Sequence, residues 1–316
     1  MTRRQGRFGR MTMRAVLGAA ATVAVVLSVQ TAGATPDGDA QDAITAAWQA
    51  AGGDTSTLGA PKGDVYPAGA GFVQDFAGGK MFFTPDTGAK AMYGAILEKY
   101  ESLGGAVNGD LGFPNIDEVP GLSSPDSRVI TFAAPDNPVI FWTPEHGAHS
   151  VRGPINAGWD KLGSSTGALG VPVGDESYAG SVVAQKFSAG ELSFDNATKT
   201  FTTVPPDLTV QLADLQVQLD PTAAIGDAWR AAGGASGSLG AKQGDQYPVG
   251  NDGAGQDFAG GKAYFSPATG VGIVAGEILV KYESLGGPAG SDLGFPVGGE
   301  ADGSISGSRF TTFSAD

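Results

Sequence analysis

The chain of 316 residues contains no cysteine. Disulfide bonds, thiolate metal sites and a cysteine nucleophile are therefore excluded, and packing alone must stabilise the fold. Basic residues are also scarce, with 19 Lys and Arg against 33 Asp and Glu, which gives a formal net charge of -14. A chain this acidic repels phosphate backbones and anionic lipid surfaces. We therefore expect no nucleic-acid partner.

The basic residues that are present concentrate at the N-terminus. Five arginines precede an apolar run at 15–29, which is followed by the small residues Ala32-Gly33-Ala34. This order is typical of a secretory signal peptide, and the run is shorter than the roughly 20 residues that a membrane span needs. We predict a signal peptide at 1–34, a short segment at 35–41, and no membrane span after cleavage. The mature chain keeps 14 Lys and Arg against 33 Asp and Glu, a net charge of -19.

Glycine and proline are abundant, but they recur at fixed positions between apolar residues, which is typical of turns. The tetrad Leu-Gly-Phe-Pro occurs twice, and three relatives (LGAP, LGVP and LGAK) share its first two residues. The five tetrads begin at Leu58, Leu111, Leu169, Leu239 and Leu293. Five copies predict a repeat protein, in which each small unit must pack against its neighbours to form a core.

Each tetrad is preceded by a second signature, an isoleucine with a large aromatic residue four positions later. The five pairs are Ile44/Trp48, Ile96/Tyr100, Ile155/Trp159, Ile225/Trp229 and Ile278/Tyr282. A spacing of four places both side chains on one face of a helix, and a glycine comes after each helix where it can end it. The tetrad therefore marks the hinge between this helix and a sheet.

The sequence after each tetrad alternates as strands do, with a phenylalanine, a turn and a short aromatic run. Three repeats then contain Thr/Ser-Pro-x-x-Gly, which predicts a tight turn before a last strand. The unit is thus a short helix, the tetrad, and three or four strands. We place five repeats at about 42–93, 94–152, 153–204, 222–275 and 276–316.

The chain also carries a larger duplication. The strings KYESLGG and DFAGGK both recur with an offset of 182 residues, so repeats one and two resemble repeats four and five. An insertion at 205–221 separates the two parts, and its alternating apolar residues predict extended chain, either a linker or an added strand. Repeat five stops at Asp316, before its aromatic strand. We hypothesise that 208–219 pairs with the open edge at 310–313.

No unique constellation of catalytic residues is present. The string Gly-x-Ser-x-Gly at 163–167 comes after a helix instead of a strand, so we do not interpret it as a nucleophile elbow. Asp75/Asp257 and Asp110/Asp292 repeat, whereas a catalytic site is normally unique. We interpret His146 and His149 as turn or strand residues, with glycan contact as the alternative, and predict no metal site. The sequence predicts neither an enzyme nor a cofactor.

Sugars are bound by aromatic faces beside carboxylates and amides. Phe83, Trp142 and Phe265 precede equivalent turns, and we leave open whether they are core aromatics or line a groove. Asp75 and Asp257, each beside a glutamine, are the polar groups to test first. The candidate ligand-binding residues are Gln74, Asp75, Phe83, Trp142, His146, His149, Gln256, Asp257 and Phe265.

From about residue 42 onwards the chain resembles the LGFP repeat family of secreted envelope proteins from mycolic-acid-bearing actinobacteria. The tetrads, the Ile/aromatic helices and the Pro-x-x-Gly turns carry this resemblance. It departs at Lys242, which replaces the tetrad proline, at repeat three, which lacks the turn, and at the unfinished repeat five.

The resemblance implies a secreted, cell-wall-associated, non-catalytic module. Such a module would bind wall polysaccharide such as arabinogalactan and anchor the protein to the wall. The alternative is a structural or assembly protein that docks onto another envelope or surface complex. For the fold we predict a mainly β protein with short helices, whose five repeats close into a β-propeller-like ring. An open solenoid is the alternative.

Overall fold

A computed structural model describes residues 36–124, 126–179, 182–196, 198–217 and 220–315. The predicted signal peptide, Leu219 and Asp316 lie outside these residues. The described part is mainly β with short helices, as predicted. Its helices are α1 (Pro36–Ala50), α2 (Gly94–Ser102), α3 (Gly105–Asn108), α4 (Gly153–Lys161), α5 (Pro221–Ala231), α6 (Gly276–Ser284) and α7 (Gly287–Gly290). None of the described helices is both long enough and apolar enough to cross a membrane.

The strands of each repeat form one antiparallel sheet in which chain neighbours pair. Repeat one contains β1 (Tyr66–Ala68), β2 (Gly71–Asp75), β3 (Gly79–Thr84) and β4 (Gly88–Tyr93). Repeat two contains β5 (Val119–Pro120), β6 (Arg128–Thr131), β7 (Val139–Thr143) and β8 (Gly147–Val151). Repeat three contains β9 (Ser177–Ala179), β10 (Val182–Phe187), β11 (Gly190–Asp195) and β12 (Thr200–Val204). Repeat four contains β13 (Lys242–Val249), β14 (Gly253–Phe258), β15 (Gly261–Ser266) and β16 (Gly270–Ala275), and repeat five contains β17 (Pro296–Asp302) and β18 (Arg309–Phe313).

Helices and sheets alternate along the chain where a sheet is apolar on both faces, as at β3, β7 and β15. In β3, Met81 and Phe83 pack with the residues of α1, whereas Phe82 packs with those of α2. The helix α2 therefore lies between its own sheet and the sheet before it, where Tyr100 contacts both Phe82 and Phe132. Continuous apolar strands are expected where both faces of a sheet are covered.

The sheet of repeat three differs from the others because only one of its faces is apolar. Val183, Leu192 and Phe194 pack against α4, whereas Lys186, Thr200 and Thr202 are exposed. The alternation of helix and sheet therefore ends at this face. It resumes with α5, which packs on β14 to β16 and also contacts β9.

The first half of the insertion does not form the extended chain that its alternation predicted. Residues Pro206–Leu212 form a 3-10 helix that packs against β12. Leu208 and Leu212 are buried in the core of repeat three, while Val210 between them is 73% exposed. The sheet of repeat five contains only β17 and β18 among the described residues. The hypothesis that the insertion pairs with this edge is therefore wrong for its described residues 208–217.

Largely buried charges connect repeats two and four. Arg152, at the start of α4, donates to Asp136 and, at 2.8 Å, to Asp110. Arg230 of α5 binds the other oxygen of Asp110 and also Asp227. We call these five residues the charge cluster. Burial would raise the pKa of Asp110, but Arg230 and Arg152 outweigh it and lower the pKa.

No sheet closes into a barrel or a propeller in the described part of the chain, because each sheet remains a separate meander. The predicted closed ring is therefore not confirmed by the sheet topology. The coarser prediction, a mainly β protein with short helices, is confirmed, and its strands form several small antiparallel sheets.

Candidate functional site

The tetrad is a structural hinge in all five repeats. Its glycine has φ between 67° and 75°, a left-handed conformation that favours glycine. The carbonyl of this glycine accepts a hydrogen bond from the aromatic residue of the preceding helix, at 2.8–2.9 Å in repeats one to four. Tyr282 donates to the Gly294 carbonyl in the same way. The two sequence signatures are thus joined by one contact, between the aromatic residue of the helix and the glycine of the tetrad.

The last residue of the tetrad begins the sheet. It pairs with a phenylalanine at the end of the second strand, or directly after that strand, in every repeat: Pro61 with Phe76, Pro114 with Phe132, Pro172 with Phe187, Lys242 with Phe258 and Pro296 with Phe313. Lys242 makes the same pairing as the prolines, and its ammonium group lies 5.0 Å from the centre of the Trp229 ring. The tetrad therefore identifies the scaffold, and binding groups must be sought elsewhere.

The candidate glutamines also stabilise the scaffold. Gln74 and Gln256 are buried, and their side-chain amides donate to the carbonyls of Gly63 and Gly244. Gln185 does the same in repeat three, where it donates to Gly174 at 2.9 Å. Gln74 and Gln185 thus fix the loops before β1 and β9, and Gln256 fixes the irregular part of β13. These amides are occupied, so we do not include them in the proposed site.

The candidate aromatics divide between core and surface. Phe83 is 8% exposed and packs with the residues of α1, and Phe265 is 5% exposed and packs with those of α5. Both are core aromatics, the first of the two interpretations that the sequence left open. Trp142 is half-buried beside the core formed around α2.

The candidate aspartates belong to a polar cluster that occurs twice. In β2, Asp75 accepts a hydrogen bond from the Tyr66 hydroxyl at 3.2 Å. Lys80, its partner in β3, lies 3.3 Å from Asp75 and 2.8 Å from Glu101 of α2. We call these four residues, Tyr66, Asp75, Lys80 and Glu101, the first tetrad cluster. None of them belongs to a Leu-Gly-x-Pro tetrad. Its charged side chains are 27–48% exposed, so they are accessible to a ligand.

The second tetrad cluster repeats this arrangement in repeats four and five. The Tyr247 hydroxyl donates to Asp257 at 2.8 Å. Lys262 lies 3.3 Å from Asp257 and 2.6 Å from Glu283. Burial and the hydrogen bond to Asp257 raise the pKa of Tyr247. Burial alone would lower the pKa of Lys262, but Glu283, Tyr264 and Asp257 outweigh it and raise the pKa.

The strand positions that hold Asp75 and Lys80 in repeat one carry other residues in repeats two and three. Lys186 and Glu191 occupy the positions of Asp75 and Lys80, so the charges are exchanged across the same pair of strands. Repeat two places the uncharged Thr131 and Val139 there. The described residues therefore hold the Tyr-Asp-Lys-Glu combination once in each half of the duplication.

The candidate histidines lie at the junction of repeats two and three. The ring of His149 contacts Asp175 through Nδ1 at 3.3 Å and the His146 carbonyl through Nε2 at 2.8 Å. Asp175 also binds Lys99 of α2. Burial would raise the pKa of Asp175, but His149 and Lys99 together lower it to about 2. The side chain of His146 lies 3.8 Å from Glu145.

Sequence reasoning found the aspartates of the tetrad clusters but missed their partners. Lys80 and Glu101 recur at Lys262 and Glu283 with the same offset of 182 residues, so that offset could have identified them. Tyr66 and Tyr247 are 181 residues apart. A register shift between Gln243 and Tyr247 in β13 accompanies this difference, and the sequence offset alone does not indicate it.

No curated protein matches the chain. A family model described as LGFP repeat matches residues 58–107, 111–167 and 239–290. Each match runs from a tetrad through the helix of the next repeat, so it includes the hinge, the sheet and the following helix. The three matches together cover about half of the chain. The chain therefore belongs to the LGFP repeat family.

Proposed function

We propose that this protein is a secreted, wall-associated, non-catalytic module that binds cell-wall polysaccharide such as arabinogalactan. The observation that carries the proposal is the occurrence of two equivalent tetrad clusters on the surface. Each combines a tyrosine, two carboxylates and an ammonium group, which can donate to and accept from sugar hydroxyls. Exposed ion pairs of this kind contribute only about 0–1 kcal/mol to folding, so stability alone does not account for them.

The duplication favours a polymer as the ligand. Two equal sites on one molecule bind a repeating ligand more tightly than either site alone, because the second contact is intramolecular. A polysaccharide offers the same group many times along its length. An enzyme would need only one such site.

The test is retention of the mature chain on insoluble wall polysaccharide at 0.15 M salt. We expect the double variant Asp75→Asn/Asp257→Asn to lose most of this retention. The control is Asp86→Asn/Asp207→Asn, which removes two exposed charges outside both tetrad clusters. Equal retention of wild type and the Asp75/Asp257 variant would rule the proposal out.

A structural or assembly role is the second candidate, and repeat five favours it. Phe310, Ile305 and Val297 are 51%, 74% and 42% exposed on or beside the small sheet of β17 and β18. Exposed apolar residues of this size mark protein-binding surfaces when they cluster. Co-purification with another envelope protein, combined with no retention on polysaccharide, would favour this role.

For the architecture we propose that the five repeats curve into a ring, as the sequence suggested. Support comes from the charge cluster, because Asp110 of repeat two binds Arg230 of repeat four. This contact joins two repeats that are not adjacent in the sequence. Small-angle X-ray scattering tests it. A ring predicts a radius of gyration near the roughly 19–20 Å of a compact chain of this length. An open solenoid would give a clearly larger value.

A further inference from the structure

A cleft between repeats two and three belongs to neither tetrad cluster. Its volume is about 420 Å³. Its apolar floor includes Val139 and Phe141 of β7 and Trp159 of α4. Pockets that bind small molecules typically measure about 300–1,000 Å³ and combine an apolar lining with a few polar groups. The cleft thus has the size of a site for one or two sugar rings.

The polar groups of the cleft are short side chains that together offer hydrogen-bond donors and acceptors. Ser165 is 7% exposed, lines the cleft and makes no side-chain hydrogen bond to any described residue. The Asn156 amide donates to the Asn137 carbonyl at 2.7 Å, which orients its Oδ1 as an acceptor. Asp160 accepts from the Ser164 hydroxyl through Oδ1 at 3.0 Å, so Oδ2 is left to accept from a ligand.

The charges around the cleft select against anions. No lysine or arginine is among its lining residues in the described part of the chain. Asp136 also lines it, but this carboxylate is paired with Arg152. A phosphate or carboxylate ligand would therefore meet the negative charge of Asp160 without compensation. A neutral polyhydroxylated ligand can instead use the amide, hydroxyl and carboxylate groups and place its C-H face on the apolar floor.

The polar residues that repeat three contributes to the cleft differ from their equivalents in repeats one and four. Asn156 and Asp160 correspond to Gly226 and Arg230 in repeat four, where a Cβ on Gly226 would lie 3.0 Å from Asp110. That helix face is therefore occupied by the charge cluster. Ser165 corresponds to Asp54 in repeat one and to Ala235 in repeat four. The string at 163–167, which we do not interpret as a nucleophile elbow, thus contributes a wall of the cleft.

We propose that this cleft binds one or two rings of a neutral sugar and supplies the specificity for sugar identity that the tetrad clusters lack. This inference deepens the polysaccharide-binding function and rests on it. The repeated tetrad clusters would supply avidity along a polymer. The single cleft would recognise one kind of sugar unit.

The test is a titration of the full mature chain with neutral arabinose and galactose disaccharides, monitored by amide chemical shifts in NMR. We expect shifts at 137, 156–160 and 164–165, with little change for inorganic phosphate or a uronic acid. Ser165→Ala and Asn156→Ala should each weaken binding about threefold to tenfold, which is the loss of roughly one hydrogen bond. Thr166→Ala is the control, because it removes a hydroxyl from the same loop outside the cleft.

The outcomes separate this proposal from the function on which it rests. Shifts confined to the tetrad clusters, or binding that Ser165→Ala and Asn156→Ala leave unchanged, would overturn the cleft while leaving polysaccharide binding intact. Disaccharide binding at the cleft that persists in Asp75→Asn/Asp257→Asn would support the cleft proposal. Unchanged thermal unfolding of Ser165→Ala would show that its effect on binding is not a loss of fold. No shift at any residue with either disaccharide would also overturn it.

Discussion

The contact between the helix aromatic and the tetrad glycine is the recurring unit of this molecule at the scale of single residues. The aromatic ring fills the core, and its one polar atom satisfies a backbone carbonyl that the left-handed turn exposes to the core. Buried carbonyls need such a partner, and an amphipathic aromatic supplies it at no cost in apolar contact. Tryptophan and tyrosine therefore interchange at this position, whereas phenylalanine does not occur there.

Removing this hydrogen bond should destabilise the fold measurably. We expect Tyr100→Phe to lower the free energy of unfolding in urea by about 1–2 kcal/mol, because the Gly112 carbonyl loses its donor. Tyr93→Phe is the matched control, since its hydroxyl makes no hydrogen bond to the described residues, and it should change the value by less than about 0.5 kcal/mol. Equal effects of the two substitutions would contradict this role of Tyr100.

Glu118 should make stability depend on pH. Burial raises its pKa to about 7, although the backbone N-H of Tyr93 and the charge of Arg128 oppose this shift. The folded state therefore favours the protonated carboxyl, so stability is lost as pH rises from about 4.5 through 7. We expect Glu118→Gln to match wild type at pH 5 and to exceed it at pH 8 by about 1 kcal/mol, after allowance for solvent screening.

The equivalent residue of repeat five provides the control for Glu118. Glu300 accepts from the Ala275 N-H at 2.8 Å but also pairs with Arg309 at 3.1 Å. Its carboxylate therefore has two partners. We expect Glu300→Gln to lower stability at pH 8 by at most about 1 kcal/mol. A gain for both variants at pH 8 would contradict the assignment of the pH dependence to Glu118.

At the scale of elements, the tetrad hinge sets a short helix against each sheet, and sheets with two apolar faces extend the stack to the next repeat. The helices and four-stranded sheets could be predicted from sequence because each signal recurs at the same place in several repeats. The insertion could not, because it occurs once. Its leucines at 208 and 212 are four residues apart, as in a helical turn, and Pro206 suits the first position of a helix.

Because neighbouring repeats share a sheet face, we predict that a destabilising substitution in one repeat also destabilises the next. Phe82 packs edge-on against Tyr100 of α2 at 5.4 Å between ring centres. We expect Phe82→Ala to cost about 3–5 kcal/mol and to speed amide hydrogen exchange throughout α2. Lys186→Ala, on the open face of the sheet in repeat three, should change stability by less than about 0.5 kcal/mol. Unchanged exchange in α2 would show that the repeats fold independently.

At the scale of the whole molecule, the charge cluster joins the two parts of the duplication. The Asp110 side chain is only 12% exposed and binds both Arg152 and Arg230, whereas its counterpart in repeat five, Asp292, is exposed. By sequence, Asp110 and Asp292 are equivalent, because both precede the same tetrad. Their environments differ because α5 of repeat four packs beside Asp110, a contact between repeats that no local pattern encodes.

Breaking this cluster should uncouple the two parts. We expect Asp110→Asn to cost about 3 kcal/mol, because it leaves buried arginines without a full countercharge. Calorimetry should then resolve two unfolding transitions, whereas Asp292→Asn should unfold as wild type does. Because the arginines lower the pKa of Asp110, its contribution is present at neutral pH and is lost as pH falls through that lowered pKa. A wild-type melting curve for Asp110→Asn would contradict this coupling.

The proposed function requires that the two tetrad clusters bind one polysaccharide together. The decisive measurement is the dissociation constant for immobilised wall arabinogalactan of wild type, each single variant (Asp75→Asn and Asp257→Asn) and the double variant, with Asp86→Asn/Asp207→Asn as the control. We predict that either single variant weakens binding at least roughly tenfold, since avidity is lost, and that the double variant keeps only the weak binding of the single cleft. Wild-type affinity in the double variant would show that the tetrad clusters are not the binding sites.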